Sequence, residues 1–368
     1  MKIGVPKEVK NNEARVAMIP EGVGRLVEAG HTVYIEEDAG LGSGFLNEQY
    51  EKAGGCIVQV AQAWAVDLVV KVKEPQESEY QYLAKQMVFT FFHLAGVAKS
   101  LTVALMEREV TAIAYESLEN ERGQLPILAP MSAVAGNMSV LMGAYYLARF
   151  NQGSGMQLGA VLGKSYGKVL IIGDGVVAQH AARVAVAMGA SVTVAGLNES
   201  KWIKTKKPEL LDVNFIASNV ENIARQVLDA DLVIGAVLCR GLKATKVVSE
   251  EMIKTMLAGS VVVDVSIDQG GCIETSVPTT HSDPVFVKHG VIHYCVANMP
   301  GAYPKASTIA LTDVTIAYIE KLASHGLASF IADKACRKAV NVCKGSIVIK
   351  KIADELGMSD LYQSIERV

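Results

Sequence analysis

The sequence predicts an α/β protein with doubly wound parallel sheets in two domains. Three observations carry this. Apolar runs of strand length alternate with helical patterns along the first 115 residues and again beyond 168. A strand, a glycine turn, a helix and a second strand follow one another across residues 168–196. The chain has 368 residues, enough for two cores of ordinary domain size.

Taken in order, strands are expected at 2–5, 32–36, 57–58, 68–72, 87–91 and 111–115, with helices at 20–28 and 47–53. Residues 6–15 (PKEVKNNEAR) read as a polar loop, and Gly30-His31 stops the first helix. Gly40-Leu41-Gly42-Ser43-Gly44 follows a strand but opens no apolar helix, so it reads as a loop. Residues 123–148 carry no charge, which is formally compatible with a membrane span. Pro126 and Pro130 break its front, and Ser132, Asn137 and Ser139 interrupt the rest, so a buried helix at 132–150 is expected instead. Later strands fall at 214–217, 232–235, 261–265 and 291–294. A long helix is expected from 305 to His325, capped by Ser307 or Thr308 and stopped by Gly326, and further helices reach the C-terminus. This last stretch is expected to cross back onto the first domain.

Half the residues are hydrophobic and the net charge is −3, so nothing electrostatic favours nucleic acid or an anionic membrane as a partner. The six cysteines are dispersed with no CxxC pair, as suits structural thiols in a reducing compartment. The start, MKIGVPKEVK, lacks the apolar core of a signal peptide, and a cytoplasmic location is expected. The seven histidines are scattered, and Glu320 and His325 lie five apart, a poor helical spacing for shared ligation; no metal is expected.

The segment 168–196 (KVLIIGDGVVAQHAARVAVAMGASVTVAG) supplies the context in which G-x-G-x-x-A becomes informative. Gly173 permits the tight turn, and Gly175 lets the backbone approach a pyrophosphate. Val176 opens the helix whose N-terminus faces the phosphates, and Ala178 allows close helix–sheet packing. A dinucleotide-binding, Rossmann-like unit follows. Its second strand should end in a carboxylate for the adenosine ribose, but Ala195-Gly196-Leu197-Asn198 stands there, with Lys201, Lys204, Lys206 and Lys207 soon after. Either the ribose is held less directly, or a 2′-phosphate is accommodated, or the cofactor binds weakly.

Other residues have side chains suited to binding an anion or moving a proton. Arg15 could pair bidentately with a carboxylate, or be a solvated neighbour of Glu13. Lys73 ends an apolar strand, where an ammonium needs an anion; Glu74 is an alternative partner. His93 follows the apolar run 88–92 at a strand's C-terminal end, where ligands bind in α/β sheets, and imidazole exchanges protons near neutrality; a satisfied core histidine is the alternative. Asp264 and Asp268 flank the strand-to-glycine turn DVSIDQGG, with Asp268 the better candidate for chemistry and Asp264 for structure. Asn298 could hydrogen-bond a carboxamide or substrate, or simply shape a turn.

With these segments in view, the sequence resembles the alanine dehydrogenase/pyridine nucleotide transhydrogenase family. The resemblance rests on GVPKEVKNNEARVA (4–17), VVKVKEP (69–75), FTFFHLA (89–95), IAYES (113–117), LAPMS (128–132), DLVIGAVL (231–238), VDVSIDQGGCIETS (263–276) and VANMPGAYPKAST (296–308). It implies two Rossmann-like domains with an interdomain cleft, the substrate domain being residues 1–130 plus 305–368 and the dinucleotide domain residues 131–304. It implies reversible NAD-dependent oxidative deamination of L-alanine to pyruvate and ammonium, usually by a homohexamer. Carried over by motif, Arg15 and Lys73 bind substrate, and His93 and Asp268 are the catalytic pair. Ser132, Lys201, Ser218, Val237, Leu238, Ile267, Asp268, Asn298 and Met299 match cofactor-contacting positions. The chain departs from the family pattern at Gly196, usually Asp, at Ala133, Asn137 and Val277, and in Leu162-Gly163-Lys164-Ser165. These departures raise an NADP-preferring enzyme and a nucleotide-binding relative without turnover as alternatives.

Overall fold

The structure, a computed structural model, describes residues 1–205, 208–239 and 243–367, without the side chains of Lys201, Thr205 and Glu209. The chain divides into two compact units, Met1–Met131 with Tyr303–Val368, and Ser132–Ala302. The division falls inside the helix Leu128–Leu147.

The strands in chain order are β1 (Lys2–Val5), β2 (Thr32–Glu36), β3 (Cys56–Val58), β4 (Leu68–Lys73), β5 (Met87–Phe91), β6 (Thr111–Ala114), β7 (Gly159–Val161), β8 (Lys164–Tyr166), β9 (Lys168–Ile172), β10 (Ser191–Gly196), β11 (Asn214–Ala217), β12 (Leu232–Gly235), β13 (Val261–Asp264), β14 (Val285–Lys288), β15 (Val291–Tyr294), β16 (Val340–Cys343) and β17 (Ser346–Ile347).

In the first unit the order is β17-β16-β6-β5-β4-β1-β2-β3, parallel from β3 to β6. The order reverses between β1 and β4, the switch point at which such sheets open a crevice beyond their C-terminal strand ends. Alternation along β4 explains why both faces are covered. Leu68, Val70 and Val72 join Val23 and Leu26 of the helix Pro20–Glu28 and Leu311, Ile319 and Leu322 of the helix Pro304–Ala332. Val69 joins Trp64, Val88, Leu101 and Leu105 on the opposite face.

The second unit repeats the plan as β11-β10-β9-β12-β13-β15-β14, with its switch point between β9 and β12. The glycine turn lies there. Gly175 is the N-cap of the helix Val176–Met188, and Gly189 ends that helix in the left-handed conformation. The expected Rossmann-like α/β class holds in both units.

Several expectations are corrected. The sheets are not wholly parallel, because β14, β16 and β17 run antiparallel to their neighbours. The stretch beyond the long helix, expected to reach the C-terminus as further helices, thus also contributes β16 and β17 to the first sheet. The hairpins β7–β8, β14–β15 and β16–β17 turn on Leu162-Gly163, His289-Gly290 and Lys344-Gly345, each pair with positive φ at both residues. That is the two-residue turn matched to strand twist, and its usual Asn or Asp signal is missing from the first position.

The helix expected at 132–150 begins four residues earlier, since Pro130 sits in the first helical turn, where its missing N–H costs nothing. Nor is it buried all round: Leu141 and Tyr145 are exposed, as is Phe150 beyond its end. Gly40–Gly44 contains a single 3-10 turn, Leu41–Ser43. The long helix starts at Pro304 with Tyr303 as an N-cap lacking a side-chain bond; Thr308 instead accepts the Val16 N–H at 3.1 Å. Gly326 breaks that helix (φ 73°, ψ 174°), yet the chain resumes helical geometry to Ala332. Among the described residues no helix is long and apolar enough to cross a membrane.

A Cβ at Gly173 would lie 2.3 Å from the Ala236 carbonyl oxygen, and its φ is +124°, whereas a Cβ at Gly175 would meet nothing within 4 Å. Gly173→Ala is therefore expected to cost about 3 kcal/mol in chemical denaturation, and Gly175→Ala less than about 0.5 kcal/mol. Equal losses would contradict this reading of the turn.

Candidate active site

All parallel strands of the first unit end on one edge, and its polar chemistry collects there. Lys73 closes β4 and is buried. His93 lies two residues past β5 in the left-handed conformation (φ 47°). Glu116, beyond β6, fixes that turn by accepting the N–H of His93 at 2.6 Å and of Phe92 at 3.2 Å. The imidazole stacks on Phe91 with centroids 5.7 Å apart and rings within 3° of parallel. Its side chain is 38% exposed, which sets aside the core-histidine alternative.

Arg15 is not solvated surface. It is 2% exposed, and Nε and a terminal nitrogen grip the two oxygens of Glu13 at 2.7 and 2.5 Å. Its other terminal nitrogen lies 3.1 Å from Met131 Sδ. A guanidinium held in this way is oriented before any ligand arrives. Glu74, offered above as a partner for Lys73, pairs with Lys10 at 2.6 Å.

A second cation was not singled out from the sequence. Lys71, in mid-β4 and wholly buried, sits between Glu79 at 2.8 Å and Glu8 at 3.2 Å, over the Trp64 ring. Glu8 also accepts the Val72 N–H at 2.6 Å, which ties the segment after β1 to β4. Burial pushes Glu8 up to about 7, against the pull of Lys71. Burial alone would lower Lys71, but the charges of Glu8 and Glu79 outweigh it and the ammonium is held above its usual range. One cation facing two buried carboxylates leaves an excess of negative charge, and Glu8 is the member whose burial favours holding a proton. A charged residue inside an apolar strand run was the available signal.

In the second unit the candidate cofactor positions also gather at C-terminal strand ends. Gly173 and Gly175 form the turn after β9, and Val176 and Ala178 lie in the first turn of the helix that follows. Ser218 follows β11 and donates its N–H to Gly196 at 2.8 Å. Val237 and Leu238 follow β12, and the Val237 carbonyl accepts from Ser266 Oγ at 2.8 Å. Ile267 and Asp268 lie in the 3-10 turn Val265–Gln269 after β13. Asn298 and Met299 come after β15, and the Asn298 N–H donates to Asp268 Oδ1 at 3.2 Å. Ile267 and Met299 are buried while Asp268 is exposed. Ser132 lies in the helix Leu128–Leu147, one helical turn before Gly136, where an added Cβ would fall 2.5 Å from the Val177 carbonyl oxygen. The Lys201 side chain and Lys206 and Lys207 lie outside the described residues.

Asp264 is the structural member of its pair. Fully buried, it accepts from the backbone N–H groups of Ser266, Cys272 and Ile273 at 3.0, 2.9 and 3.1 Å and from Ser276 Oγ at 2.7 Å.

The glycine turn suits a pyrophosphate. Gly175 has open space where a side chain would be, and as N-cap it offers no side-chain acceptor to the first N–H groups of a thirteen-residue helix. Those donors and the positive end of the helix dipole fit an anion.

The family model "Alanine dehydrogenase/PNT, N-terminal domain" matches residues 4–135, and its C-terminal counterpart matches residues 139–350. The chain belongs to the alanine dehydrogenase/PNT family. It is 49% identical to an alanine dehydrogenase of Staphylococcus haemolyticus, over all of this chain and 98% of that one. It is 47% identical to alanine dehydrogenase 2 of Staphylococcus aureus, over 100% and 99%. A solved L-alanine dehydrogenase superposes with a TM-score of 0.91 at 45% identity, over 98% of this chain and 100% of that chain. A transhydrogenase from Sinorhizobium meliloti shares the fold, with a TM-score of 0.80 at 24% identity over 95% and 100%. Membership implies a pyridine nucleotide cofactor.

The buried triad makes two measurable demands. Lys71→Met strands two carboxylates in the core of this family member and is expected to cost about 3–5 kcal/mol in urea unfolding. Because Glu8 holds its proton more tightly folded than at its usual 4.5, stability contributed by that proton is lost as pH rises from about 4.5 to about 7. Glu8→Gln should flatten this decline in urea midpoints over that window; parallel pH profiles for the two proteins would exclude it.

Proposed function

We propose that this chain catalyses the reversible oxidative deamination of L-alanine with NAD, giving pyruvate, ammonium and reduced NAD. The supporting observation is 49% identity with an alanine dehydrogenase from end to end. When bound, the nicotinamide supplies the carbon that accepts hydride from the amino acid's Cα. Everything else falls to protein side chains.

Arg15 and Lys73 bind the substrate carboxylate and its neighbouring polar atom, as a preset guanidinium and a buried ammonium suit. Water then adds at the imino carbon. His93 takes a proton from that water and passes it to the nitrogen; as the C–N bond breaks and the carbonyl forms, the imidazole accepts the remaining hydroxyl proton, acting as base and acid in turn. Glu116, through the His93 and Phe92 backbone, holds the turn that presents the imidazole. Asp268 assists the proton transfers, its orientation set by the Asn298 N–H. Asn298 binds substrate or carboxamide. The nucleotide is assigned to Gly173, Gly175, Val176 and Ala178, with Ser132, Lys201, Ser218, Val237, Leu238, Ile267 and Met299 as further contacts. The same reading makes the working form a cytoplasmic homohexamer with a small amino acid or oxo acid as its only substrate partner.

Absorbance of reduced nicotinamide should rise when the protein meets L-alanine and NAD, and fall when pyruvate, ammonium and reduced cofactor are supplied. Folded protein that turns over neither NAD nor NADP would end the proposal. His93→Ala should lower kcat by about 10²–10⁴-fold without lowering Tm. Lys73→Ala should chiefly raise KM for alanine and pyruvate.

A further inference from the structure

The absent carboxylate at the end of β10 has a structural counterpart. Asp174, between the two glycines of the turn after β9, places its carboxylate against that strand end. Oδ2 accepts the N–H groups of Leu197 at 3.1 Å and Asn198 at 3.2 Å, the first two residues after β10. Oδ1 accepts no hydrogen bond among the described residues, and the side chain is half-buried. These contacts draw the charge toward β10 and fix its direction.

Gly196 and Asp174 are sterically linked. A Cβ at 196 would lie 2.8 Å from the Asp174 Cβ and 2.6 Å from the Phe215 ring. A carboxylate-bearing residue at 196 therefore cannot coexist with Asp174 as it stands. The side chain missing from the strand makes room for one that arrives from the turn.

In dinucleotide-binding folds the acid at the end of the second strand accepts hydrogen bonds from the adenosine ribose hydroxyls, and its charge disfavours a 2′-phosphate there. We infer that Asp174 is the ribose-binding, cofactor-selecting carboxylate of this chain, reaching from the glycine turn the place an acid at position 196 would otherwise fill. The selected cofactor is then the unphosphorylated nucleotide. This rests on the pyridine nucleotide reading above and adds to it the residue that discriminates.

Calorimetric or fluorescence titration of NADH and NADPH into the parent, Asp174→Asn and the double variant D174G/G196D tests it, with a melt of each protein as the check on folding. The parent should bind NADH at least about tenfold tighter than NADPH, as one charge-assisted hydrogen bond warrants. Asp174→Asn should lose about tenfold in NADH affinity, with NADPH affinity kept or improved. The double variant, which returns the acid to the strand, removes the Asp174 clash and leaves only the far edge of the Phe215 ring to shift, should regain the NADH preference. An NADH-to-NADPH affinity ratio unchanged in Asp174→Asn, or an NADPH-preferring parent, would overturn the inference alone. A folded parent that binds neither nucleotide would overturn the cofactor reading and this inference together.

Discussion

A parallel sheet covered on both faces leaves a charged side chain very few places to go. In each unit the polar residues stand where the strands end, because only there does the backbone turn away from the apolar layers. Lys71 shows what the alternative requires. It occupies the middle of a buried strand, and it is accompanied by two carboxylates, a backbone-bonded one among them, and by an indole face. That arrangement fixes the segment after β1 against β4, the two strands that bound the switch point of the first sheet. Arg15, Lys73 and His93 all belong to segments whose paths depend on this anchoring or lie beside it.

The second unit buries its Asp264 among backbone N–H donors rather than opposite a cation. Its switch point brings Gly173 against the Ala236 carbonyl so closely that no side chain fits, and the turn then releases Gly175 into open space. The two glycines thus serve opposite purposes, one closing the gap between neighbouring strands and the other leaving backbone accessible. Asp174 between them is held by amides at the end of the next strand rather than by its own turn. The local sequence in this region makes sense only as a set.

Much of the fold is legible in the sequence because apolar runs in parallel strands are nearly continuous, as in β4, β5 and β9. Lys73 and His93 could be singled out for the same reason: each interrupts or follows such a run. The misses share a physical basis. The antiparallel strands β14, β16 and β17 are short, and their turns place His289 and Lys344 where Asn or Asp would advertise positive φ. The helix Leu128–Leu147 starts early because proline is tolerated in a first turn, a position that sequence alone does not distinguish from a break. Side-chain pairings such as Arg15 with Glu13, Lys10 with Glu74, and Asp174 with the end of β10 depend on backbone paths that spacing does not reveal. Burial of Arg15 was invisible for that reason, since a polar loop gives no hint that it folds inward.

The discontinuous first unit has a consequence for biosynthesis. Its core takes Leu311, Ile319, Leu322, Phe330 and Val340 from the far end of the chain, and β16 is needed to pair the free side of β6. A ribosome delivers these pieces only after the whole of Ser132–Ala302 has emerged. The second unit, contiguous in sequence, can therefore mature while the first is still an incomplete sheet with a bare margin. Vectorial synthesis makes that margin the vulnerable stage for nascent-chain aggregation.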